Sequence, residues 1–152
     1  MSPTRRALRT GVAAAAAAIT MTATVVAPAA AATWPNDTFD LCATNCGVGG
    51  TWGGVVWGNR TAELQGTMYD SGGVGTTVYF EAYAGSVKID GTTRSTPADS
   101  ASPFHFTIGD PDLVGGFDRL KIQVCQTNSG PYWCSRPVNA DRDGVAEHLS
   151  SN

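Results

Sequence analysis

The chain has 152 residues, enough for one domain of about 120 residues once an export leader is removed. It is rich in Gly and poor in charge, and its Thr, Val, Tyr, Phe and Trp suit half-buried pleated surfaces, which argues against a mainly helical protein. Three of the basic residues lie in the leader, so about 7 Lys and Arg face 13 Asp and Glu in the remainder. The resulting net charge of about −6 repels phosphate backbones and anionic lipids and excludes nucleic acid as a partner.

Residues 1–32 read as a cleaved secretory signal. Arg5, Arg6 and Arg9 form a positive start, an Ala-rich uncharged run follows, and Ala30-Ala31-Ala32 is a small-residue cleavage site before Thr33. Arg5-Arg6 also partly matches a twin-arginine signal, although an ordinary Sec signal fits better. The run is short for a membrane anchor, so no membrane span is expected after cleavage, and the product is expected to be extracellular and monomeric.

Residues 33–54 are rich in Gly, Asn, Asp and Thr and read as an irregular N-terminal arm. From residue 55 to 138 the apolar period becomes two, the mark of strands with one face on a core. In 61–69, Ala62, Leu64 and Met68 share a face, and Asp70-Ser71-Gly72-Gly73 ends the strand. In 76–84, Val78, Phe80 and Ala82 oppose Thr77, Tyr79, Glu81 and Tyr83, and Gly85-Ser86 turns the chain into a strand over 87–93. Two further strands follow, with Phe104, Phe106 and Ile108 inward in one and Leu120, Ile122 and Val124 inward in the other. A short last strand is expected over 132–138. Residues 139–152 are polar and read as a flexible tail with at most one helical turn near 145–149.

Six or seven short strands without a helical period define an all-β fold. A small antiparallel β-sandwich of immunoglobulin-like size is the economical architecture, and a small β-barrel is the alternative. Cys42, Cys46, Cys125 and Cys134 imply two disulfides in an oxidising compartment. Of the three connectivities, Cys125 with Cys134 is favoured because a turn-rich stretch separates them, which leaves Cys42 with Cys46. A four-Cys zinc site is disfavoured because neither spacing is C-x-x-C.

The patterns that position catalytic groups are missing. There is no G-x-S-x-G, no H-E-x-x-H and no phosphate loop ending in Lys-Ser or Lys-Thr, so no catalytic residue and no cofactor is assigned. His105 reads as a solvated strand histidine, and Asp110 and Asp112 read as turn formers. Asn139, Asp141 and Asp143 with Gly144 match the opening of a calcium loop, and Glu147 partly replaces the missing twelfth-position Glu, which makes these four a weak metal candidate. Tyr79 and Tyr83 project from the face opposite Val78 and Phe80 and, with Trp57 and Trp133, are candidate binding residues. Trp34 and Trp52 carry the same choice between ligand contact and burial.

The segments Trp57-Gly58-Asn59-Arg60, Phe80-Glu81-Ala82-Tyr83-Ala84-Gly85 and Gly115-Gly116-Phe117-Asp118-Arg119-Leu120-Lys121 with Val124-Cys125 resemble small secreted β-rich proteins of filamentous actinobacteria, a group with no assigned activity. The resemblance implies export and a β domain and adds no catalytic residue. Two functions are therefore expected. One is a secreted non-catalytic binding or interaction protein for an extracellular glycan, a cell-wall component or a small apolar ligand, as in the exported two-disulfide sandwiches that carry enediynes. The other is an inhibitor or antagonist of an extracellular protein such as a hydrolase, with residues 126–133 as a rigid insert.

Overall fold

The computed structural model describes residues 35–127 and 133–151. The leader over 1–32, Trp34 and the middle of the insert, residues 128–132, lie outside the described residues. Nine strands are described: β1 (Asp37–Cys42), β2 (Gly49–Trp57), β3 (Thr61–Asp70), β4 (Thr76–Ala84), β5 (Val87–Thr96), β6 (Ala101–Gly109), β7 (Arg119–Gln126), β8 (Val138–Asp141) and β9 (His148–Ser150). They form two sheets of order β6-β3-β2-β1-β9 and β5-β4-β7-β8. The sheets pack as a sandwich, which decides against the closed barrel, and the described residues contain no helix. Pairing is antiparallel throughout except between β1 and β9, which run parallel.

The period-two segments fold as their patterns dictate. Val78, Phe80 and Ala82 of β4 and Leu120, Ile122 and Val124 of β7 are fully buried, and Ala62, Leu64 and Met68 of β3 meet them from the other sheet. Phenylalanines fill the centre of the core. Phe80 lies edge-on to Phe104 at 5.5 Å and to Phe106 at 5.0 Å, geometries in which a positive ring edge meets a negative ring face. At one end, Trp57 packs on Phe117 at 5.3 Å.

Residues 33–54 are not an irregular arm, because β1 and the first half of β2 occupy most of that span. Gly49, Gly50, Gly53 and Gly54 are poor strand formers alone, but β2 is hydrogen-bonded on both sides, to β1 and to β3. Gly53 stands directly opposite Gly66 of β3. The inner space that these two residues leave is filled by Phe39 and Phe104, whose rings stack in parallel at 6.5 Å. A Cβ on Gly53 would lie 2.7 Å from Phe39 Cζ, and one on Gly66 would lie 2.8 Å from Phe104 Cζ. Both glycines are thus demanded by packing.

The C-terminal segment is not a loose tail either. It forms β8 on one sheet and β9 on the other, with no helical turn over 145–149. A buried carboxylate draws it in. Asp37 Oδ2 accepts the Trp57 indole N–H at 2.6 Å, and Oδ1 accepts the Glu147 backbone N–H at 2.9 Å. The Arg142 guanidinium donates to the Gly58 carbonyl and lies over the Trp57 and Phe117 rings. The contacts of Asp37 with Glu147 and of Arg142 with Gly58 and Trp57 join residues more than eighty positions apart, beyond the reach of any local pattern. The expected strand over 132–138 is reduced, among its described residues, to a single bridge between Cys125 and Cys134 and the first residue of β8.

Both disulfides have the favoured connectivity, Cys42 with Cys46 and Cys125 with Cys134. Each closes a short loop and contributes roughly 2–3 kcal/mol by restricting the unfolded chain.

Candidate functional site

The sandwich exposes two sheet faces, and the residues on them follow from strand alternation. On the four-stranded sheet, Tyr79, Glu81 and Tyr83 of β4 point outward beside Lys121 and Gln123 of β7. Glu81 is the hub. It accepts hydrogen bonds from Lys88 Nζ at 2.7 Å, Lys121 Nζ at 3.0 Å and the Tyr83 hydroxyl at 2.9 Å. Its pKa is lowered to about 2, by Lys88 first and then Lys121, against a smaller opposing push from burial. The lysine stem of Lys88 crosses Gly91 to reach this carboxylate, so a Cβ at Gly91 would stand 2.7 Å from Lys88 Cε.

Of the aromatic pair predicted on this face, one ring is covered. The Arg119 guanidinium lies 4.7 Å over Tyr83, whose hydroxyl is held by Glu81. Tyr79 keeps 38% of its surface exposed and borders a shallow depression of about 340 Å³ shared with Lys121, Gln123 and the Cys125–Cys134 disulfide. Trp133 is exposed beside that disulfide. Trp57 is no ligand contact, because it is buried and its N–H belongs to Asp37.

The metal candidate does not assemble. A calcium loop must curl so that alternate side chains converge, but Asn139 and Asp141 lie in extended β8, paired with Lys121 and Arg119 of β7. Asp143 Oδ1 accepts the Val145 N–H in a local turn, and Glu147 is tied through its backbone to Asp37. Among the described residues, no group of three or more His, Cys, Asp and Glu is placed to hold a metal ion. Asp110 is a turn former as read, with Oδ1 accepting the Asp112 N–H.

The five-stranded sheet carries the more open feature. Trp52 projects from the middle of this face with 54% of its surface exposed. Its cross-strand neighbours are Asp40 of β1 and Thr67 of β3. The next outward row holds His148, Thr38, Gly54, Gln65 and His105, in order from β9 to β6. The Thr38 hydroxyl and His148 Nδ1 are 2.9 Å apart, and His105 Nε2 pairs with Glu63. Because Gly54 has no side chain, a trough of about 520 Å³ opens beside the indole, lined by Thr38, Gln65, Thr67 and His105. The sequence reading missed it because the glycines around Trp52 hid the strand. Its two faces, Thr51, Val55 and Trp57 inward and Trp52 and Val56 outward, do not differ chemically, so alternation leaves no signal in the sequence.

The chain matches no protein-family model, no curated protein and no solved structure.

Proposed function

We propose that the chain is a secreted, non-catalytic binding protein whose ligand is an extracellular glycan. In this reading residues 1–32 are removed and the sandwich acts outside the cell, the compartment in which two disulfides persist. The observation that carries it is Trp52, a flat ring left bare at the centre of a sheet face and flanked in register by the carboxylate of Asp40 and the hydroxyl of Thr67. An indole stacks on the apolar face of a pyranose while neighbouring oxygens and amides take its hydroxyls. The charge narrows it, since an acidic domain with Asp40 and Glu63 on this face disfavours a polyanionic ligand.

The test is retention of the purified protein on insoluble cellulose, chitin and peptidoglycan, wild type against Trp52→Ala. Retention on at least one of them that falls about tenfold or more in the variant is expected. No retention on any, or retention indifferent to Trp52, refutes the reading.

Exposed Trp133 beside the Cys125–Cys134 disulfide favours a second reading, inhibition of an extracellular hydrolase by the segment 126–133. Undiminished rates of secreted proteases and glycosidases in the presence of excess protein would dismiss it.

A further inference from the structure

Gly54 sits at the floor of the Trp52 trough, and its surroundings set it apart from the other glycines of the same strand. Added Cβ atoms at Gly49, Gly50 and Gly53 would each lie within 2.5 Å of a neighbouring atom, whereas one at Gly54 would meet only the Asp37 carbonyl oxygen, at 3.6 Å. That is an ordinary van der Waals contact. The backbone there is regular strand, paired with Thr38 on one side and Gln65 on the other. The fold therefore does not require glycine at position 54, and a β-branched residue would suit the strand better. A side chain at this point would stand outward, between Trp52 and Val56, and fill the trough.

We infer that Gly54 is the specificity-determining gap of the glycan site, and that the trough it opens holds a linear, non-polyanionic oligosaccharide lying across the strands. This rests on the glycan-binding reading of Trp52 and adds the shape and direction of the ligand. Direction follows from register. The row His148, Thr38, Gly54, Gln65 and His105 runs perpendicular to the strands and supplies an imidazole, a hydroxyl, an amide and a second imidazole around the bare glycine. From β9 to β6 it crosses four strand spacings, about 19 Å, the length of a short oligosaccharide and not of one sugar ring. Along the strands, Trp52 closes one side of the row and Val56 follows on the other, both exposed. The low side at Gly54 is thus the passage through which a chain continues past the indole. That the ligand is not a polyanion follows from Asp40 beside Trp52 and Glu63 beside His105, whose carboxylates would repel one.

The test separates the gap from the indole. Binding of the soluble oligosaccharide series, one to six sugars, of whichever polysaccharide retains the wild type is measured by calorimetry for wild type, Trp52→Ala, Gly54→Ala and Gly54→Val, with sodium alginate as the polyanionic arm. Expected are affinity that climbs with length over the first four or so sugars and then levels, and a loss of about tenfold or more in Gly54→Val with an unchanged or raised melting temperature. Gly54→Ala, with its single methyl, falls between. Binding that depends on Trp52 but is indifferent to Gly54→Val, or a hexamer bound no tighter than a single sugar, overturns the inference while leaving the glycan reading intact. Tighter binding of alginate than of the neutral series overturns the charge assignment. Binding indifferent to Trp52 overturns the glycan reading itself.

Discussion

Replacing Asp37 by Ala should destabilise the domain by about 2–4 kcal/mol and release its C-terminal strand. The Asp37 carboxylate is fully buried, and its two oxygens each accept one N–H from a distant part of the chain. Removing it leaves the buried Trp57 indole N–H without an acceptor, at a cost of about 1–3 kcal/mol. The Glu147 N–H loses a charge-assisted bond worth about 1 kcal/mol after solvation, because Glu147 is exposed and water can replace part of it. For a domain of this size the sum corresponds to a fall in melting temperature of about 10–15 °C. Urea titration of wild type, Asp37→Ala, Trp57→Phe and the double variant gives the coupling directly, and about 1–2 kcal/mol is expected between the two positions. Amide exchange supplies the spatial readout: protection should be lost over 148–150 well before the central strand β4. Additive single effects, or exchange in β9 already unprotected in the wild type, would refute the account of how the C-terminal segment is held.

The Glu81 hub makes a pH prediction. Its folded pKa of about 2 lies below the ordinary 4.5, so its stabilising effect is fully present above pH 4.5 and disappears as pH falls toward 2. The melting-temperature gap between wild type and Glu81→Gln should thus be constant above about pH 5 and shrink to a small remainder as pH falls through 2; a gap undiminished in acid refutes the coupling. Neighbouring glycines should also behave oppositely. Gly53→Ala, whose Cβ would lie 2.3 Å from the Gln65 carbonyl oxygen, is expected to cost about 1–3 kcal/mol, whereas Gly54→Ala should be neutral or slightly stabilising. Equal urea midpoints for the two variants would show that the Gly53–Gly66 contact is not tight.

The strands that could be read were those whose inner and outer faces differ chemically. β3, β4 and β7 alternate inward apolar with outward polar or aromatic residues over six or more positions, and the boundaries of β3 and β4 fall within one residue of the expected ones. The cysteine pairing was legible too, because a turn-rich spacer of the right length brings Cys134 back beside Cys125. What stayed hidden depends on contacts between segments. β1 and β9 pair in parallel although their ends are more than a hundred residues apart, and β9 is only three residues long. Trp57 read as a possible ligand contact because nothing local shows that Asp37 waits for its N–H. Tyr83 read as exposed because strand alternation gives direction and not cover, and its cover, Arg119, comes from the neighbouring strand.

β2 is where the hidden part of the fold and the candidate site coincide. A strand with four glycines in its first six positions scores as loop by any propensity, since each glycine gives up conformational entropy and offers no side chain to pack. Three of the four answer to the fold: Gly49 and Gly50 are closely approached by neighbouring residues, and Gly53 makes room for Phe39. The fourth, Gly54, meets no such demand, and a valine there would strengthen the strand. A residue that weakens local structure without serving the packing is best accounted for by the surface it leaves open, and at Gly54 that surface is the trough beside Trp52. The local weakness that hid β2 in the sequence is thus, at this one position, the property that the proposed site uses.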